Sequence, residues 1–159
     1  MAKDILLCLS GLDAAQFVIR AAPHIPRDRT LVLLYVIDTR PAEDLGYIAR
    51  RMHSAGLSSQ HTALMEAAEQ QTAEAVLNEA GEQCMQEGFN AQNIRREIRR
   101  GRPEQQIIGL AQDPVQNVGL VVIGSSYKQA PTIAPGPASV GHVARFVVEH
   151  SPCDVLLLR

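Results

Sequence analysis

Tryptophan is absent from these 159 residues, and phenylalanine and tyrosine are limited to three of each. A groove for single-stranded nucleic acid needs aromatic platforms interleaved with positive charge. The formal net charge of -2 adds no long-range attraction for phosphate backbones or anionic lipid, so no nucleic-acid partner is expected. Cysteine is scarce too. Cys8, Cys84 and Cys153 are odd in number, far apart and set in apolar surroundings, which argues against a disulfide framework and against a metal site; three buried thiols are expected. No stretch approaches the roughly 18 apolar residues of a membrane span, so no membrane partner is expected either. The opening MAKDILLCLSG has only five consecutive apolar residues before Ser10 and no small-residue cleavage site, and it reads as a first strand instead of a leader. The expected compartment is the cytoplasm.

What remains is a globular composition, 46% hydrophobic and 20% charged, of a size that predicts a single domain over residues 1–159. Ile5 to Leu9 is a compact strand signal, followed by a helix from Ala14 that stops before Pro23 and Pro26. TLVLLYVID, Thr30 to Asp38, is apolar on both alternations, as a strand covered on both faces must be. From Arg40 to Gln60 the periodicity is poor; a short helix around Leu45 to Met52 within a mobile insertion is expected. Ala73, Val76, Leu77, Ala80 and Cys84 mark one face of a long helix starting near His61. IRREIRRG, Ile94 to Gly101, alternates isoleucine with arginine and predicts an edge strand, with Pro103 opening the next helix. VGLVVIG, Val118 to Gly124, and VLLL, Val155 to Leu158, complete five strand signals. Between them, Val140, Val143, Ala144, Val147 and Val148 form the stripe of a last helix that opens at Ser139. The alternation predicts an α/β three-layer sandwich around a mostly parallel sheet, whose ligands would bind at the carboxyl ends of the strands.

Those ends hold the candidate site. Gly124, Ser125 and Ser126 follow a buried strand, where glycine lets a ligand approach the backbone and serine offers donors to phosphate oxygens. Gly141 and His142 lie at a helix start, whose amides and dipole favour an anion. A plain turn and helix cap account for the same residues. The chain has neither the GxxxxGK[ST] phosphate loop nor the GxGxxG dinucleotide fingerprint. No Ser/His/Asp order, paired carboxylates or HExxH falls at the strand ends, so no catalytic residue is assigned. His24, His53 and His61 share no ligand spacing and are expected to be solvated, and His150 is expected to meet the last carbonyls of its helix. The run IRREIRRGR is read as a solvated edge.

Three segments together carry a resemblance: LCLSGLD after the first strand, GRP (Gly101 to Pro103) before the third helix, and the closing HSPCDVLLLR. With these the chain resembles the universal stress protein family over essentially its full length. The resemblance implies an adenine nucleotide alpha hydrolase-like fold with a five-stranded parallel sheet in the order 3-2-1-4-5. It implies a phosphate loop of the form G-x-x-G, nine residues, G-[ST], here falling on Gly124, Tyr127, Gly141 and His142. The two glycines agree; Tyr127 and His142 do not, and the spacer has thirteen residues with Pro131, Pro135 and Pro137. The adenine-side aspartate of ATP-binding members falls at Ser10, the base-contacting strand end at Val36 and the ribose contact at Gly101.

The resemblance therefore implies a binding or signalling module that takes ATP or AMP, with Mg²⁺, through a remodelled phosphate loop. The alternative is a structural or adaptor homodimer in the stress response without a nucleotide, its loop filled by Tyr127 or Ile133. A weak Mg²⁺-dependent hydrolase is disfavoured by Ser10. In similar proteins the last strand, here Val155 to Leu158, pairs across a two-fold axis, so a homodimer is expected.

Overall fold

The computed structural model describes residues 2–11, 13–41, 43–44, 47, 58–127 and 140–159. Five parallel strands form one sheet in the order β3-β2-β1-β4-β5. They are β1 (Asp4–Leu9), β2 (Leu31–Asp38), β3 (Ile94–Gly101), β4 (Val118–Gly124) and β5 (Asp154–Leu158). The α-helices with described bounds are α1 (Ala14–Ala21), α2 (Ser58–Gln86), α3 (Pro103–Gln112) and α4 (His142–His150).

Strand alternation divides the core into two layers. Ile5, Leu7 and Leu9 of β1 and Leu31 and Leu33 of β2 pack with Val18 of α1 and Val76, Leu77, Ala80 and Cys84 of α2. Leu6, Cys8, Val32, Leu34 and Val36 face the other way, onto Ile107 and Leu110 of α3 and Val143, Ala144 and Val147 of α4. Because both faces are covered, β2 carries almost no polar side chain, the reason its sequence is a continuous apolar run. β3 is an edge strand, and its arginines serve the protein itself. Arg95 meets Gln116 and Asp4, Arg96 reaches the Leu77 carbonyl, Arg99 pairs with Glu97, and Arg100 lies 4.0 Å from Glu69.

Several expectations need adjustment. α4 begins at His142, with Gly141 as its cap, and not at Ser139, which lies outside the described residues. α2 begins at Ser58 instead of near His61. Most of the Leu45 to Met52 segment, His53 and the spacer 128–139 with Ile133 lie outside the described residues. Cys8 and Cys84 are buried, but Cys153 is only half-buried, because it stands before β5 at the sheet margin. His24 and His61 are exposed. His150 places Nδ1 2.9 Å from the Phe146 carbonyl and stacks on the Phe146 ring. No described helix is long and apolar enough to cross a membrane.

Candidate functional site

The strand order reverses direction at β1, with β2 on one side and β4 on the other, and the crevice that opens there is the usual ligand position in an open α/β sheet. A cavity of about 510 Å³ occupies it, bordered by Ser10 and Gly11 after β1 and by Gly124 and Ser126 after β4. That volume lies within the range of small-molecule pockets. Its apolar wall is Phe17 of α1 and Tyr35 of β2, and its polar wall includes Asp13, Gln16 and Arg20. A Cβ at Gly11 would stand 3.4 Å from the Tyr35 hydroxyl oxygen, in van der Waals contact with it.

The α1 contribution was not recognised in the sequence. Asp13, Gln16, Phe17 and Arg20 have the spacing three, one, three, so they share one helix face, and that stripe is the signal that would have found them. Asp13 turns the chain into the helix in the left-handed region, at φ 54° and ψ 44°, a conformation that aspartate tolerates better than most residues. Arg20 also donates to the Arg159 carbonyl, tying the helix to the end of the last strand.

Of the eight sequence-derived site residues, Ser10, Gly124 and Ser126 meet at this cavity. Val36 is fully buried in the α3/α4 layer. Gly101 ends β3 with φ 139°, opposite Asp38 in the β2 register. Ser125 and Gly141 join the β4 turn to α4: the Gly141 amide donates to the Ser125 carbonyl at 2.7 Å, and the Ser125 amide donates to the Leu158 carbonyl at 2.7 Å. A Cβ on Gly141 would lie 3.1 Å from the Ser125 carbonyl oxygen, which explains glycine at this close approach. His142 is exposed, with Nε2 3.9 Å from Glu104 Oε1.

Tyr127 is buried, 4% exposed, in the layer that contains Val36, Cys8 and Val143. It is not among the described non-glycine residues with positive φ, so a side chain at this position of the loop carries no left-handed strain. Burial raises its phenol well above the ordinary value, reinforced by Cys8, Tyr35, Asp38 and Glu104 nearby; the hydroxyl is a neutral donor and acceptor at any physiological pH. Asp38 accepts from the Arg40 amide and guanidinium, the shortest contact being 2.6 Å, and this hydrogen bond raises the arginine further. Among the described residues no three His, Cys, Asp or Glu side chains come together to ligate a metal.

A family model, "Universal stress protein family", matches residues 1–159, and the chain belongs to that family. The structure is similar to universal stress protein UspA from Lactobacillus plantarum, with 25% identity, a TM-score of 0.55, and 100% of this chain and 99% of that one covered. It shares its fold with a universal stress protein solved in complex with cAMP, at 20% identity and TM-score 0.60 over 100% of this chain and 98% of the other. It shares it also with the universal stress protein from Archaeoglobus fulgidus in complex with dAMP, at 17% identity and TM-score 0.56 over 99% and 98%. The search of curated proteins found no match.

Proposed function

We propose that residues 1–159 form one binding or signalling domain that takes an adenine nucleotide at the carboxyl end of the sheet, through a remodelled phosphate loop. The observation that carries the reading is the cavity at the β1/β4 crossing, where Ser10, Gly124 and Ser126 converge from separate segments. In this reading Val36 and Gly101 lie on the base and ribose side, and Ser125, Gly141 and His142 on the phosphate side. Relatives of the same fold solved with cAMP and dAMP support it. Signalling would follow from a change in the loops or the dimer surface when the ligand is bound; the place of action is the cytoplasm.

Mass spectrometry of small molecules released from freshly purified protein tests the reading directly, with excess absorbance near 260 nm as a first sign because tryptophan is absent. Calorimetry with ATP, ADP and AMP, each with and without Mg²⁺, tests it quantitatively. Gly124→Val should abolish binding, since even a Cβ at Gly124 reaches to 3.6 Å from Phe17 and the added methyls would enter the cavity. Ser126→Ala removes one donor, worth roughly two- to tenfold in affinity. No heat with any nucleotide at millimolar concentration would overturn the reading.

A second reading, an adaptor homodimer without a ligand, draws on β5. This strand is at the sheet edge, and Val155, Leu156 and Leu157 are only half-buried, so an apolar edge is left for a partner strand to cover. Pairing of Val155 to Leu158 across a two-fold axis is proposed under both readings. Light scattering that returns a monomer mass at micromolar protein would count against it.

A further inference from the structure

Glu104 stands out among the charged residues because it is 5% exposed, the single buried charged side chain among the described residues. It is the second residue of α3, a place where a helix dipole favours a carboxylate. The dipole does not explain its surroundings. Oε1 lies 3.7 Å from the Arg40 guanidinium and 3.9 Å from His142 Nε2, so the carboxylate sits behind the first residue of α4. Oε2 is buried and finds no hydrogen-bond partner among the described residues.

The start of α4 is where a phosphate chain would be held. Three amides around it are already committed inside the protein: Ser125 to Leu158, Tyr127 to Gly124, and Gly141 to Ser125. The charge beside it is not positive. Among the described residues the Arg40 guanidinium is answered by three carboxylates, Asp38, Glu104 and Glu43, and Asp38 holds it by a bidentate contact. Each added phosphate therefore brings negative charge toward a buried carboxylate in a region of low dielectric, where like charges repel more strongly than in water.

We infer that Glu104 is a specificity-determining residue that makes this site discriminate against a polyphosphate tail, so that the ligand class is the nucleoside or nucleoside monophosphate and not the triphosphate. The inference rests on the nucleotide reading above and goes beyond it by naming which members of the class bind. Glu104 acts through charge on the tail, while the base and ribose are held elsewhere.

The test is calorimetry of adenosine, AMP and ATP, with and without Mg²⁺, on the full chain. The wild-type protein should bind adenosine and AMP at least about tenfold more tightly than ATP, a gap of roughly 1.4 kcal/mol. Glu104→Gln should close most of that gap by improving ATP while leaving adenosine unchanged. ATP binding as tightly as AMP to the wild-type protein overturns the inference and leaves the nucleotide reading standing. A gap unaltered in a Glu104→Gln protein with wild-type circular dichroism overturns the role of Glu104. Silence from all three ligands overturns both readings together. Where the substituted protein does not fold, the wild-type ligand order still tests the discrimination against the triphosphate.

Discussion

Gly101 ends β3 at φ 139°, a backbone region in which a Cβ meets the adjacent peptide groups, and a Cβ there would also come 2.8 Å from Gln106 Nε2. Gly101→Ala is therefore expected to cost about 1–3 kcal/mol, visible as a lower urea midpoint with an unchanged slope. The thiols differ among themselves for an equally local reason. Cys153 is half-buried, whereas Cys8 and Cys84 are enclosed, so a thiol reagent on the native protein should modify one cysteine quickly and the other two only on unfolding. Burial pushes the Cys84 thiol up to about 11 from 9.0, with Glu87 adding to the rise and Arg96 and Arg27 opposing it. The folded state thus holds this proton more tightly than the unfolded chain. The resulting stability is fully present below about pH 9 and is lost as pH rises through 11. The loss amounts to roughly 2–3 kcal/mol, and Cys84→Ala should flatten that part of the stability profile, measured as denaturant midpoints at successive alkaline pH values.

Among the elements, β2 carries the most. It is hydrogen-bonded to β1 and β3 and sends Leu33 into one core layer and Leu34 into the other, both fully buried. Truncating either to alanine should cost about 2–5 kcal/mol, because removed methyl groups leave a cavity that a close-packed interior only partly refills. α2 behaves differently along its length. Its C-terminal half packs on β2 and α1 through Val76, Leu77, Ala80 and Cys84, while Leu64 in its first half is 71% exposed. Leu64→Ala should lie within about 0.5 kcal/mol of wild type, and equilibrium unfolding of the two kinds of variant checks the contrast. The basic strand β3 shows how an edge is made safe. Arginines on an otherwise open ladder discourage pairing with another chain, and here Arg95, Arg99 and Arg100 are answered by Gln116, Glu97 and Glu69.

At the scale of the whole molecule, binding and stability are linked. A ligand that occupies only the folded state stabilises it by about 2.7 kcal/mol at a hundred times its dissociation constant. For a chain of this length that corresponds to a rise in Tm of roughly 5–10 °C. AMP at saturating concentration should produce such a rise in a thermal melt, and Gly124→Val should remove it; a flat response of the wild-type protein to millimolar AMP would contradict the proposed role. The sheet order places both polar and apolar edges at opposite ends of the molecule, arginine-bearing β3 on one side and Val155, Leu156 and Leu157 of β5 on the other. Only the second edge lacks the charges that discourage pairing, which is why the proposed dimer is assigned to it.

Local order in the sequence was enough to determine the layers. Apolar runs such as LVLLYVID mark strands covered on two faces, IRREIRRG marks an edge, and the stripe Ala73, Val76, Leu77, Ala80, Cys84 marks a packed helix face, because periodicity reports which side of each element leaves water. Gly124 was legible from the turn after a buried strand and Gly141 from the helix start, whereas Gly101 as a contact came from the family resemblance. Long-range packing decided the rest. That Gln16, Phe17 and Arg20 wall the cavity depends on how α1 crosses the end of β4, and that Tyr127 is buried depends on space left between Cys8, Val36 and Val143. Glu104 and His142 are separated by about a quarter of the chain and meet because α3 and α4 pack side by side. No periodicity carries that information, since the distance between two helix starts is fixed by the sheet to which both are docked.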